Sequence, residues 1–235
     1  MTERFLNPSE SLALLEKVIQ TGMTHEFDER MNRIEFFLEN EKVATFRLPI
    51  TLSYGAELPL KQHELIQYVL VLIRSGTAAV GYFDNGENID HKVFRAYMVR
   101  KKQGKSQVKY LKTKGKSRAG SRVRLAETMS FFENINERLN DYFHQFRVDK
   151  IGLSCSETLI PYFFGSKIKA PFEKKDPRLF RIPKHIPNPT YEHLLETNRF
   201  LRMGHLKWQR VGNSLIETLL NSPPSTDMVS EEDDW

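Results

Sequence analysis

Asp84-Asn85-Gly86 stands between two apolar runs, residues 77–83 and 93–99, both rich in β-branched and aromatic side chains. Asn-Gly accepts the positive φ that a two-residue hairpin turn demands, so this is the strongest local constraint on what the chain can fold into. It predicts two antiparallel central strands. An earlier hairpin is expected where Ile34, Phe36 and Leu38 alternate to one face, residues 39–42 form a polar turn and residues 43–48 return.

Helical signals lie around these strands. Asn7-Pro8-Ser9-Glu10 supplies a cap, a proline in the first turn and a Glu reaching back to the cap, which predicts a helix over residues 8–20 with Leu12, Leu15, Val18 and Ile19 inward. Leu65, Ile66, Val69, Leu70 and Ile73 recur at helical spacing, and a second helix is expected there. Leu125, Met129, Phe132, Ile135, Leu139 and Phe143 outline a long third one. An apolar strand is expected over residues 151–155, a Pro-rich linker over 171–189, and a helix after Thr190 with Leu194, Leu195 and Leu201 inward. The tail from residue 222 ends in Glu231-Glu232-Asp233-Asp234 and is expected to be disordered. Helices interleaved with strands place the chain in a mixed α/β class.

Charge is distributed unevenly. Residues 91–126 hold 13 Lys or Arg and no Asp or Glu; removing those 13 from the 35 in the chain leaves 22 against 30 acidic residues. So dense a cationic run repels itself unless a polyanion, most often a nucleic acid backbone, neutralises it. Cys155 is the single cysteine, which excludes an internal disulfide and a cysteine-based zinc site, and its apolar surroundings read as a small buried hydrophobe. The seven histidines lack ligand spacing, so neither a metal nor a cofactor is expected. The N-terminus lacks an apolar signal core, and the longest apolar stretch, residues 68–73, is too short to cross a bilayer. A soluble cytoplasmic protein without a membrane partner is the expectation.

The second apolar run leads at Arg100 into a stretch containing Gly104, Gly115 and Gly120 that follows neither the helical nor the strand period, so a long functional loop is expected. Gly104 lets the backbone approach a ligand closely, while Arg100, Lys101, Lys102, Lys105 and Lys109 suit phosphates. The amide of Gln107 donates one hydrogen bond and accepts another, which suits it to hold a water or a 2′-hydroxyl in place rather than to move a proton. The residues alone leave a solvated Gln107 as the other reading.

Gly104-Lys105-Ser106-Gln107 follows a strand, and Ser117-Arg118-Ala119-Gly120-Ser121-Arg122-Val123-Arg124 opens a helix. Further on come Tyr162-Phe163-Phe164-Gly165, then Asp176-Pro177-Arg178-Leu179-Phe180-Arg181-Ile182-Pro183, then Pro189-Thr190-Tyr191-Glu192-His193-Leu194. In this order the motifs resemble the Vms-like release factor family of ribosome quality control, over roughly residues 77–206; several motifs in fixed order are more specific than one glycine-rich tetrapeptide. The resemblance implies an RNase H-like α/β fold similar to the middle domain of the eukaryotic stop-codon release factor. It implies action on peptidyl-tRNA in the large ribosomal subunit, either by hydrolysing the ester or by cutting the tRNA acceptor end. Gln107 would then be catalytic, Gly104, Ser106 and Gly120 would shape its loop, and Lys112, Lys116, Arg118, Arg122 and Arg124 would extend the RNA-binding set. Lys105 stands where members often have a second glycine. Residues 1–76 would be a helix and hairpin extension packed on the main domain, 77–210 the catalytic domain, and 211–235 a C-terminal segment. A non-catalytic ribosome or tRNA binder using the same basic loop is the alternative.

Overall fold

The computed structural model describes residues 2–54, 61–62, 65–96 and 117–221, with side chains of the helix that begins at Ser117 described from Glu127 onward. Two compact units divide the chain, residues 1–63 with 201–235, and residues 64–200.

The first unit opens with β1 (Thr2–Leu6) and α1 (Pro8–Gln20). The expected cap is present: the Asn7 amide donates to Glu10 Oε2 and the Glu10 amide to Asn7 Oδ1, each at 2.8 Å, a reciprocal capping box. Leu14, Leu15 and Val18 bury the inner face of α1. After β2 (Thr24–Asp28) the first predicted hairpin follows as β3 (Arg33–Leu38) and β4 (Glu41–Arg47), antiparallel with Ile34 opposite Phe46. The two-residue strands β5 (Leu52–Ser53) and β6 (Lys61–Gln62) pair with each other.

The second unit is built on β7 (Gln67–Arg74), β8 (Thr77–Asp84) and β9 (Glu87–Arg95), an antiparallel meander. Asn85 and Gly86 both take positive φ, 46° and 91°, as the two-residue turn requires. Next come α2 (Ser117–Gln145), β10 (Lys150–Cys155), α3 (Ile160–Gly165), β11 (Leu179–Arg181) and α4 (Tyr191–Arg202). β10 lies parallel to β7 and β11 parallel to β10, so the sheet order is β11-β10-β7-β8-β9. Three antiparallel strands with two parallel ones added beside the first form the RNase H-like arrangement that the motifs imply. Val69, Val71, Ile73, Val80 and Tyr82 face the buried Phe131, Phe132, Ile135 and Leu139 of α2. The opposite face approaches α4 so closely that a Cβ on Gly81 would lie 2.5 Å from Leu194 Cδ2.

Three expectations change. Where a second helix is expected from Leu65 to Ile73, the chain forms strand β7 from Gln67 onward. All six positions from 68 to 73 are buried because both faces of the strand are covered, so the apolar run is continuous and its helical spacing is incidental. The 171–189 linker contains β11, held where the Ile151 amide donates to Arg178 O and the Ile182 amide to Leu153 O, at 2.8 and 3.0 Å. And β9 starts at Glu87 rather than at residue 93, residues 97–99 of the expected run lying outside the described residues, and it is an edge strand, not a central one, with exposed charged positions of the kind that discourage further strand pairing.

The chain returns to the first unit through β12 (Gly204–Trp208) and α5 (Asn213–Asn221). β12 lies between β1 and β4, with Thr2 opposite Trp208, completing the order β1-β12-β4-β3-β2. This pairing takes β12 out of the expected 77–210 block, and β7 joins the second unit although it precedes residue 77. The expected acidic tail lies outside the described residues.

Candidate functional site

In the second unit β7, β9, β10 and β11 run in one direction and end at Arg74, Arg95, Cys155 and Arg181. Residues 97–116 link the last residues of β9 to the start of α2, so the basic segment is attached at that end of the sheet. Open α/β sheets carry their ligands at this carboxyl end of the parallel strands. Arg74, Thr77 and Arg95 stand in one row across β7, β8 and β9. The attachment is firm up to its last described residue: Phe94 is buried, and the Ala96 amide donates to Gly76 O at 2.9 Å.

Gln107, Gly104, Ser106, Arg100, Lys101, Lys102, Lys105, Lys109, Lys112 and Lys116 lie outside the described residues. Arg118, Gly120, Arg122 and Arg124 fall on the first turns of α2, with their side chains likewise outside.

Two arginines of the motif spanning residues 176–183 separate clearly. Arg178 donates from Nη2 and Nε to the two oxygens of Asp176, at 2.7 and 3.0 Å, and from Nη1 to Val148 O, and it lies over the Phe143 ring. Its side-chain hydrogen bonds hold the Asp176 carboxyl below the usual carboxylate range. Arg181 instead is 65% exposed and only 3.8 Å from the still more exposed Glu157, a contact worth little in water.

Cys155 ends β10 half-buried, and burial pushes its thiol up to about 12 against the smaller opposing effect of Arg74. At neutral pH so little thiolate forms that a nucleophilic role is disfavoured. Phe131, Phe132 and Phe163 are core residues, whereas Tyr162 is 53% exposed with its ring stacked near Phe132. Among the described residues no three His, Cys, Asp or Glu side chains come together as a metal site would need, and no helix is long and apolar enough to cross a membrane.

Comparison with known proteins adds relatives to this geometry. The chain is 28% identical over 130 residues to the tRNA endonuclease ANKZF1 of Homo sapiens, covering 54% of this chain and 18% of that protein. It is 25% identical over 163 residues to the tRNA endonuclease ANKZF1 of Bos taurus, covering 63% and 22%. The chain thus spans about a fifth of the length of these relatives. Among solved structures it is similar to the Vms1 mitochondrial localization core, at 12% identity and a TM-score of 0.41 over 88% of this chain and 85% of that one. The model of the Bacteroidetes VLRF1 release factor family matches residues 68–208, from the first strand of the second unit to the end of β12 and more than half of the chain. With the ordered motifs inside that span, the chain belongs to the Bacteroidetes VLRF1 release factor family.

Proposed function

We propose that this protein frees stalled nascent chains in the large ribosomal subunit by cleaving peptidyl-tRNA, with Gln107 as the catalytic residue and no cofactor. One observation carries the reading: the family match encloses the 91–126 stretch, whose 13 cations meet no acidic residue. Arg100, Lys101, Lys102, Lys105 and Lys109 neutralise RNA phosphates, and Gly104 and Ser106 shape the loop that presents Gln107. The cytoplasm is the compartment in which such a substrate arises.

Two reactions fit one neutral amide. In the first, Gln107 orients a water whose oxygen attacks the ester carbonyl carbon; the C–O bond to the tRNA breaks and the released ribose hydroxyl takes up a proton. In the second, it orients a ribose 2′-hydroxyl toward the adjacent phosphorus; the 5′-oxygen leaves with a proton and a 2′,3′-cyclic phosphate remains. Both gain from positioning rather than from proton transfer by the amide. The relatives named tRNA endonuclease favour the second.

The test is to incubate the protein with stalled ribosomal complexes and identify the tRNA 3′ end. An intact CCA terminus means ester hydrolysis, and a shortened end bearing a cyclic phosphate means endonuclease action. Gln107→Ala is expected to abolish release while binding persists. Unchanged release by Gln107→Ala overturns the catalytic assignment and leaves a binding role. Replacing Lys101, Lys102 and Lys105 together by Gln is expected to weaken tRNA binding and flatten its salt dependence.

A further inference from the structure

Residues 160–175 hold Lys167, Lys169, Lys174 and Lys175 against the single acid Glu173. All four lysines are exposed. The ion pairs formed nearby among the described residues are Arg178–Asp176, Arg181–Glu157 and Lys184–Glu196, and none of them uses these lysines. Lys174 lies near the Phe164 ring, its Nζ 5.7 Å from the centroid.

The backbone that carries them is fixed on α2. Fully buried Asn136 donates from Nδ2 to Phe163 O and Ile168 O, at 2.9 and 2.8 Å. One turn on, Asn140 donates to Asn136 O and Lys169 O, at 2.8 and 2.9 Å. Phe172 is buried against Phe143, Phe163 and Phe164. Cations presented from a backbone that is already ordered lose less entropy when they meet a partner.

Tyr162 lies near the start of this segment, just after the carboxyl end of β10 and so at the end of the sheet where residues 97–116 attach, and from there the segment runs along α2, past Asn140 and Phe143, toward the start of β11. Its ring lies within 16° of parallel to that of Phe132, with centroids 6.1 Å apart, and it is 53% exposed. An exposed ring and unneutralised cations carried on one ordered segment are a combination that binds nucleic acid with accessible bases, where a base stacks and phosphates meet charge.

We infer that Tyr162 and the lysines at 167, 169, 174 and 175 form a second RNA-binding surface that holds the acceptor end of the tRNA while the basic loop works on it. This rests on the proposed action on peptidyl-tRNA but not on Gln107 being catalytic. An acidic protein segment, the other polyanion, is less well matched, since it has no flat ring to stack on Tyr162.

The test is equilibrium binding of deacylated tRNA with an intact CCA end to the full chain over a range of salt. Replacing the four lysines by Gln is expected to weaken binding at least tenfold at physiological salt. The slope of log K against log salt should shrink by about 0.7 to 0.9 for each phosphate that is no longer neutralised. Tyr162→Ala is expected to weaken binding of CCA-ended tRNA more than that of tRNA trimmed of CCA, and Tyr162→Phe to restore it. Because the lysines are exposed, the thermal midpoint of the quadruple variant should match that of the wild type.

If the quadruple variant keeps the wild-type slope while the Lys101, Lys102 and Lys105 variant loses part of it, the second surface is overturned and the loop reading stands. A wild-type chain that binds no tRNA overturns both. If the quadruple variant binds tRNA normally but no longer sediments with ribosomes free of tRNA, the lysines serve another partner and the inference fails.

Discussion

The hydroxyl of Tyr68 donates to Oδ1 of Asn198 at 2.5 Å, and Nδ2 of the same asparagine donates to Gly86 O at 2.8 Å. One side chain of α4 thereby ties the buried centre of the sheet to the β8–β9 turn. Asn198→Ala removes both bonds and leaves a buried hydroxyl without this acceptor, so a loss of roughly 1–3 kcal/mol is expected in denaturant unfolding. Tyr68→Phe should cost less, because it removes the donor as well as the bond.

Gly81 is needed for a different reason. A Cβ there would meet Leu194 Cδ2 at 2.5 Å and Phe83 Cε2 at 3.1 Å. Leu194 is fully buried, so its methyl has little room to retreat. Gly81→Ala is expected to destabilise by about 1–3 kcal/mol. Combined with Leu194→Ala it should cost less than the sum of the two single changes, because the truncated leucine makes room for the new methyl. Strict additivity in a double-mutant cycle would reject the close approach as the cause.

The pair Arg178–Asp176 gives stability a dependence on pH with a definite sign. Asp176 is held below its ordinary value, chiefly by the Arg178 side-chain hydrogen bonds. Its contribution is therefore complete above the unfolded carboxylate pKa of about 3.9 and is lost as pH falls through the lower folded value. Urea unfolding of wild type and Asp176→Asn should show a stability gap at neutral pH that closes in acid. A gap of constant size down to about pH 2 would mean that the ion pair is not the origin.

Cys155 should behave as an inert thiol. Burial pushes it up to about 12, so iodoacetamide at pH 8 is expected to label the native protein far more slowly than a free thiol with a pKa near 8.5. Labelling should approach the free-thiol rate once the chain is unfolded in urea. Rapid modification of the native protein would contradict the burial of the sulfur.

The proposed site was legible in part. Segregation of 13 cations without a counter-charge is visible in sequence because it is a matter of composition within one short stretch. The fixing of the proposed second surface was not, since the backbone at Ile168 and Lys169 is held by hydrogen bonds from Asn136 and Asn140, some 30 residues earlier in the chain. Arg178 and Arg181 are likewise two cations three residues apart, and their different surroundings separate the one locked on Asp176 from the one open to solvent.

What the sequence by itself determined is what neighbouring residues can settle among themselves: the Asn7–Glu10 capping box, the Asn85-Gly86 turn, the Thr190 cap that receives the His193 amide, and the mixed α/β class. Each depends on bonds or backbone conformations spanning a few residues. Tertiary structure decided the rest. Whether residues 65–73 coil or extend, whether three residues between prolines become β11, and whether β12 finds β1 some 200 residues away depend on partners that local pattern does not encode. Burial on both faces erases the period by which a strand is recognised, and an edge strand exists only once its neighbour offers hydrogen bonds.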